Sequence, residues 1–155
     1  MGEKTFDGTE AHKFFAVDCF NNTWGLIDKA DRTAEENEQM LQLAMASTWH
    51  WSQREDVTPS NMAVGYWQVS RVHAMLGRAD EARRYGQLSL DAAVGGAADA
   101  FTRGYAYEAL ARAESIAGDP AKTNEYLTKA RAAADEVADE ESKKWLLDDL
   151  ETIGT

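Results

Sequence analysis

The sequence predicts an all-α chain of about seven helices, and three observations predict it. Alanine occurs 26 times in 155 residues and proline only twice, at Pro59 and Pro120. That balance favours helix and withholds the turns and β-branched runs that a sandwich or barrel needs. Apolar side chains recur three and four residues apart, and helix start and stop residues punctuate the segments between them.

The first helix is predicted from about Thr9 to Ile27, with Val17, Phe20, Trp24 and Ile27 on one inner face. Thr33, with Glu36 three residues on, forms a capping box that opens the second. This helix reaches about Arg54 and turns Met40, Leu41, Ala44, Thr48 and Trp51 inward. Thr58-Pro59 starts the third, because a proline at the first helical position gives up no needed N–H; it runs to Leu76 and stops at Gly77. The fourth spans about Ala79 to Ala93 and closes at Gly95-Gly96, and the fifth spans about Ala98 to Ala117 and stops at Gly118. Asp119-Pro120 opens the sixth, to about Val137. The seventh, about Glu140 to Ile153, carries Leu146, Leu150 and Ile153 on a single stripe. Every connection is short, so neighbouring helices are expected to run antiparallel.

Helices three and four resemble helices five and six. Tyr66, Val69, Gly77, Ala82, Tyr85 and Ser89 align with Tyr107, Leu110, Gly118, Thr123, Tyr126 and Ala130 at a constant offset of 41 residues. An early aromatic, a turn glycine, then a small residue, an aromatic and another small residue make a pattern that resembles the tetratricopeptide repeat. The likeness covers about Ala63 to Val137. Its period exceeds the usual length of about 34, with the excess around Val94 to Phe101, and Thr123 replaces an alanine. The resemblance implies one domain over residues 1–155, a short right-handed superhelix of stacked hairpins. Residues 9–55 would form a divergent hairpin, 59–94 and 98–137 the two repeat units, and 139–153 a capping helix. The chain is also similar to small bacterial helical proteins from which no activity carries over.

With 16 Lys and Arg against 27 Asp and Glu, the net charge is −11. Phosphate backbones and anionic lipid surfaces repel such a chain, so neither nucleic acid nor membrane is an expected partner. The lone Cys19 cannot make an internal disulfide, and the N-terminus shows no apolar signal stretch. Both point to the cytoplasm.

No catalytic constellation emerges. The glycines read as helix stops and the carboxylate pairs as caps or solvated faces, while Asp18 beside Cys19 opposes a reactive thiolate. His12, His50 and His73 lie nowhere three or four apart, so no single helix offers two imidazoles. His50 and His73 with carboxylates would serve a metal-dependent or small-molecule enzyme; packed, hydrogen-bonded histidines are the plainer account, and no cofactor is expected.

The repeat resemblance implies a groove lined by Trp67, Arg71 and Met75 from one unit and by Glu108, Arg112 and Ile116 from the next. Two guanidiniums, an indole and a carboxylate there could hold an acidic peptide end or a small anion. The competing reading makes Glu108/Arg112 a surface ion pair and packs Trp67 under a neighbouring helix. Trp49 lies about 200° around the helix from Trp51, one turn from Met45, and Trp145 is off its apolar stripe. Met45 and Trp49 are therefore a candidate surface for self-association or a partner. The expectation is a non-catalytic binding module or scaffold for a protein or peptide.

Overall fold

The computed structural model describes residues 6–154, and all their regular structure is helical. In order the helices are α1 (Gly8–Ile27), α2 (Ala34–Ser52), α3 (Pro59–Met75), α4 (Ala79–Gly95), α5 (Ala100–Ala117), α6 (Pro120–Asp135) and α7 (Glu140–Glu151). No helix among the described residues is long and apolar enough to cross a membrane. Residues 1–5, which begin the stretch searched for a signal sequence, lie outside the described residues.

Polar side chains start almost every helix. Asp7 accepts the backbone N–H groups of Thr9 and Glu10, and Asp99, Asp119 and Asp139 each accept one N–H at the start of α5, α6 and α7. Thr33 with Glu36 and Thr58 with Asn61 form reciprocal capping boxes, the latter with Pro59 in the first turn. At each of these starts one or two of the N–H groups that a helix leaves without a partner are thereby satisfied. Gly77 and Gly118 leave α3 and α5 at φ of 71° and 78°, a left-handed backbone that a Cβ would strain. α5 begins two residues later than expected, because Ala97 takes φ 49° and Asp99 becomes the cap.

The chain divides into two compact units, Met1–Val57 and Thr58–Thr155. The first is the α1–α2 hairpin. Its interface corrects the expected inner face of α1: Ala16, Cys19, Thr23 and Ile27 are buried, whereas Val17 is exposed. The buried stripe is rotated by one residue toward small side chains because these let the helices close. Ser47 on α2 then donates its hydroxyl to the Ala16 carbonyl at 2.7 Å. Met40, Ala44 and Thr48 face inward as expected, while Leu41 and Trp51 are half-buried. The Arg54 guanidinium lies 4.1 Å from the centre of the Trp51 ring.

The second unit stacks α3 to α7, each helix against the next, with α3 also on α5 and α5 on α7. Hydroxyls again mark the close approaches: Ser70 donates to Ala82 O at 2.7 Å and Ser89 to Ala63 O at 2.8 Å, both between α3 and α4. Leu146 and Leu150 of α7, with Ile153 just past its end, are buried with Ala111 of α5 and with Ala130 and Ala134 of α6. After α4 the chain turns tightly under the start of α3. A Cβ on Gly96 would sit 2.2 Å from Pro59 Cβ, whereas one on Gly95 would meet nothing within 4 Å.

Because the Pro59 ring cannot yield, Gly96→Ala is expected to destabilise by about 1–3 kcal/mol. Gly95→Ala is expected to be neutral or stabilising, by up to about 1 kcal/mol. Thermal unfolding of the two neighbouring variants checks the contrast, and equal melting temperatures would contradict it.

Candidate functional site

The second unit is organised around one buried carboxylate. Glu108 on α5 is 0 % exposed and accepts three charge-assisted hydrogen bonds. The Trp67 indole donates to Oε2 at 2.7 Å, while Arg71 Nη1 and Arg112 Nε donate to Oε1 at 3.0 and 2.7 Å. Isolated, such a charge would be very costly to bury; two guanidiniums and an indole make it tolerable. Arg112 also reaches α7, where its Nη2 donates to Asp149 O at 3.2 Å and to Thr152 Oγ1 at 2.8 Å. The guanidinium thus sits at the negative end of the α7 dipole. Asp149 completes the cluster: it accepts the Tyr105 hydroxyl at 2.8 Å, and its Oδ1 lies 4.0 Å from Arg71 Nη2. Burial, then the hydrogen bond to Asp149, holds the Tyr105 hydroxyl far above its ordinary titration range.

The repeat period explains the convergence. Trp67, Glu108 and Asp149 succeed one another at 41 residues, as do Arg71, Arg112 and Ile153. α7 therefore occupies the register of the first helix of a further unit, and equivalent positions on α3, α5 and α7 meet in successive layers.

Above the cluster lies an open concavity of about 430 Å³, lined by Arg71, Met75, Arg112, Ile116, Thr152 and Ile153 among others. Arg71 and Arg112 are 16 % and 14 % exposed, so each presents an edge to this space. Trp67 and Glu108 do not line it, which corrects the expected groove. They face each other between α3 and α5, behind the two arginines, leaving Trp67 8 % exposed. Glu108/Arg112 is likewise no surface pair.

The histidines take other partners. His50 on α2 meets His12 on α1, with their Nδ1 atoms 2.8 Å apart. Burial and the neighbouring His12 lower the His50 affinity for protons. The Trp49 ring lies 5.2 Å from His12 and 4.9 Å from His50, and Phe15 lies 5.4 Å from His50. Met45 and Trp49 are exposed, Trp49 by 55 %, as are Phe14 and Phe15. His73 belongs to the second unit, where it is buried and stacked on Tyr85 at 5.6 Å and 14°. Its Nδ1 has no hydrogen-bond partner among the described residues. No group of three or more His, Cys, Asp or Glu side chains converges as a metal site among those residues. Cys19 is buried, and that burial, with Asp18 beside it, raises its thiol above the usual range.

Comparison with protein-family models, with curated proteins and with solved structures finds no match for this chain. Residue-level reading had missed Tyr105, Asp149 and Thr152. Extending the 41-residue period one step beyond Glu108 would have found Asp149.

Two measurements probe these groups. Glu108→Gln keeps the shape but removes the charge shared by both guanidiniums, so a loss of about 3–5 kcal/mol is expected in urea unfolding. A loss below about 1 kcal/mol, the scale of an exposed pair, would contradict the buried role. His73 binds protons less readily than an ordinary histidine, chiefly through burial and then through Arg78, with Glu81 opposing. The unfolded chain therefore takes up the proton first. The stability contributed is full above about pH 6.5 and is lost as pH falls through the lowered folded-state value. His73→Phe, which keeps the ring stack, should flatten that loss when melting is followed between about pH 7 and about pH 5.

Proposed function

We propose that the Thr58–Thr155 unit is a tetratricopeptide-like binding module, without a catalytic role, that takes the acidic end of a protein or peptide in the α3–α5–α7 concavity. The observation that carries the reading is the pair of guanidinium edges, both fixed from beneath by Glu108, on the wall of an otherwise largely apolar recess. Held in this way, they pay little ordering entropy on binding a carboxylate. Met75, Ile116 and Ile153 supply contact area for an adjoining apolar side chain. The preferred ligand is thus a carboxylate next to an aliphatic residue, such as a peptide C-terminus.

Charge balance limits the affinity. Two cations face two carboxylates, and Asp149, near Arg71, is the internal competitor that a ligand must outbid. The acidic surface supports a partner that is neither nucleic acid nor membrane, and the single cysteine supports a cytoplasmic setting.

Short peptides ending in Ile or Leu, with free or amidated C-termini, test the reading by tryptophan fluorescence. The free-acid peptides should bind, and amidation or Arg71→Ala should weaken them about tenfold or more, the worth of one charge-assisted hydrogen bond. Asp149→Asn should tighten them. Equal binding of free and amidated peptides would overturn the proposal.

A further inference from the structure

The α1–α2 hairpin holds an arrangement that no role has absorbed: two imidazoles from different helices, placed Nδ1 to Nδ1 at 2.8 Å. Both rings are partly open to solvent. We propose that His12 and His50 form a two-point site for a late divalent transition ion of tetragonal preference, Cu²⁺ or Ni²⁺, with water filling the remaining positions.

The separation carries the argument. Two nitrogens bound at right angles to one ion at about 2.0–2.1 Å lie roughly 2.9 Å apart. The pair is therefore already spaced for adjacent positions of a square-planar or octahedral ion. A tetrahedral ion would need them roughly 3.4 Å apart, and at two nitrogen donors the general affinity order already places Cu²⁺ above Zn²⁺. The donors point the same way. Two neutral imidazoles suit late transition ions, whereas Mg²⁺ and Ca²⁺ require oxygen donors. The rings, tilted at 50° to each other, need to turn their two Nδ1 atoms from each other toward a common vertex. In the neutral pair one Nδ1 carries a proton and the other accepts it. On metal binding the donating ring moves that proton to Nε2, so no net proton is released.

Trp49 reports on the site, since its indole lies within 5.2 Å of both rings. The test is titration of the full chain with Ni²⁺ alone, followed by calorimetry and by tryptophan fluorescence, and repeated with Cu²⁺. The expected result is one ion per chain with quenching. His12→Ala and His50→Ala should each weaken binding about tenfold or more, and His73→Ala should leave it unchanged. His12→Asn and His50→Gln serve if an alanine variant loses helical circular dichroism. Binding that is equally tight in the His12 and His50 variants would assign the uptake to acidic surface groups and overturn the proposal. So would a native chain that takes up no Ni²⁺ at the pair.

Discussion

The second unit depends on a single charge. Glu108 is fully buried, and it joins α3 to α5 directly and reaches α7 through Arg112, with the Tyr105–Asp149 hydrogen bond as a second tie between α5 and α7. The Trp67 indole and the Arg71 guanidinium come from α3, and Arg112 carries the connection to the end of α7. A carboxylate has about four acceptor directions and no donor, so it can gather three donors at once without leaving one facing another. An apolar side chain of similar size could fill the space but could not fix the register between layers. Buried polar groups are known to serve register in this way, and here equivalent positions from successive helices meet at the same carboxylate.

Small side chains set the distance over which such contacts form. The α1–α2 and α3–α4 pairs close on alanine, serine and threonine, and the hydroxyls of Ser47, Ser70 and Ser89 reach carbonyls of the facing helix at 2.7–2.8 Å. A larger residue at Ser47, Ser70 or Ser89 would both remove a donor and push the backbones apart. The glycines at contacts obey the same constraint. Gly86 abuts Leu110, and Gly104 leaves room for Leu146, so an abundance of alanine and glycine is as much a packing statement as a propensity.

Periodicity and caps made the helices legible. The capping box at Thr33, the Thr58-Pro59 start and the glycine stops at Gly77 and Gly118 each depend on residues within a few positions, and local chemistry decides them. The inner face of α1 was not legible by the same route. Choosing the largest apolar residues favoured Val17 and Phe20, whereas the interface selects for close approach and buries Ala16, Cys19 and Thr23. The candidate site was half legible. The 41-residue offset places Arg71 and Arg112 in adjacent layers, but helix position alone does not say that an acidic side chain points inward to a tryptophan. His12 was equally hidden as the partner of His50, because their meeting depends on the rotation of α1, the quantity that was misjudged. His73 and Glu114 are 41 residues apart and both buried, yet they meet different neighbours: His73 stacks on Tyr85 within its own helix pair, whereas Glu114 takes a two-point ion pair from Arg83 of the preceding pair.

An acidic ligand meets opposed effects on this protein, and their ranges differ. The net charge of −11 repels it at a distance, but at physiological salt that field fades within about 8 Å. Inside the concavity the contest is between two guanidiniums and Asp149, over a few ångströms and in a partly desolvated setting where each contact counts more. Added salt therefore eases the approach while weakening the partly exposed contacts only modestly. Selectivity then rests on fit: a carboxylate must reach both arginine edges while its neighbour covers Met75, Ile116 and Ile153. Free acetate or chloride supplies the charge without the area, so an anion alone is a poor ligand for a recess that also offers Met75, Ile116 and Ile153 and whose cations are already shared.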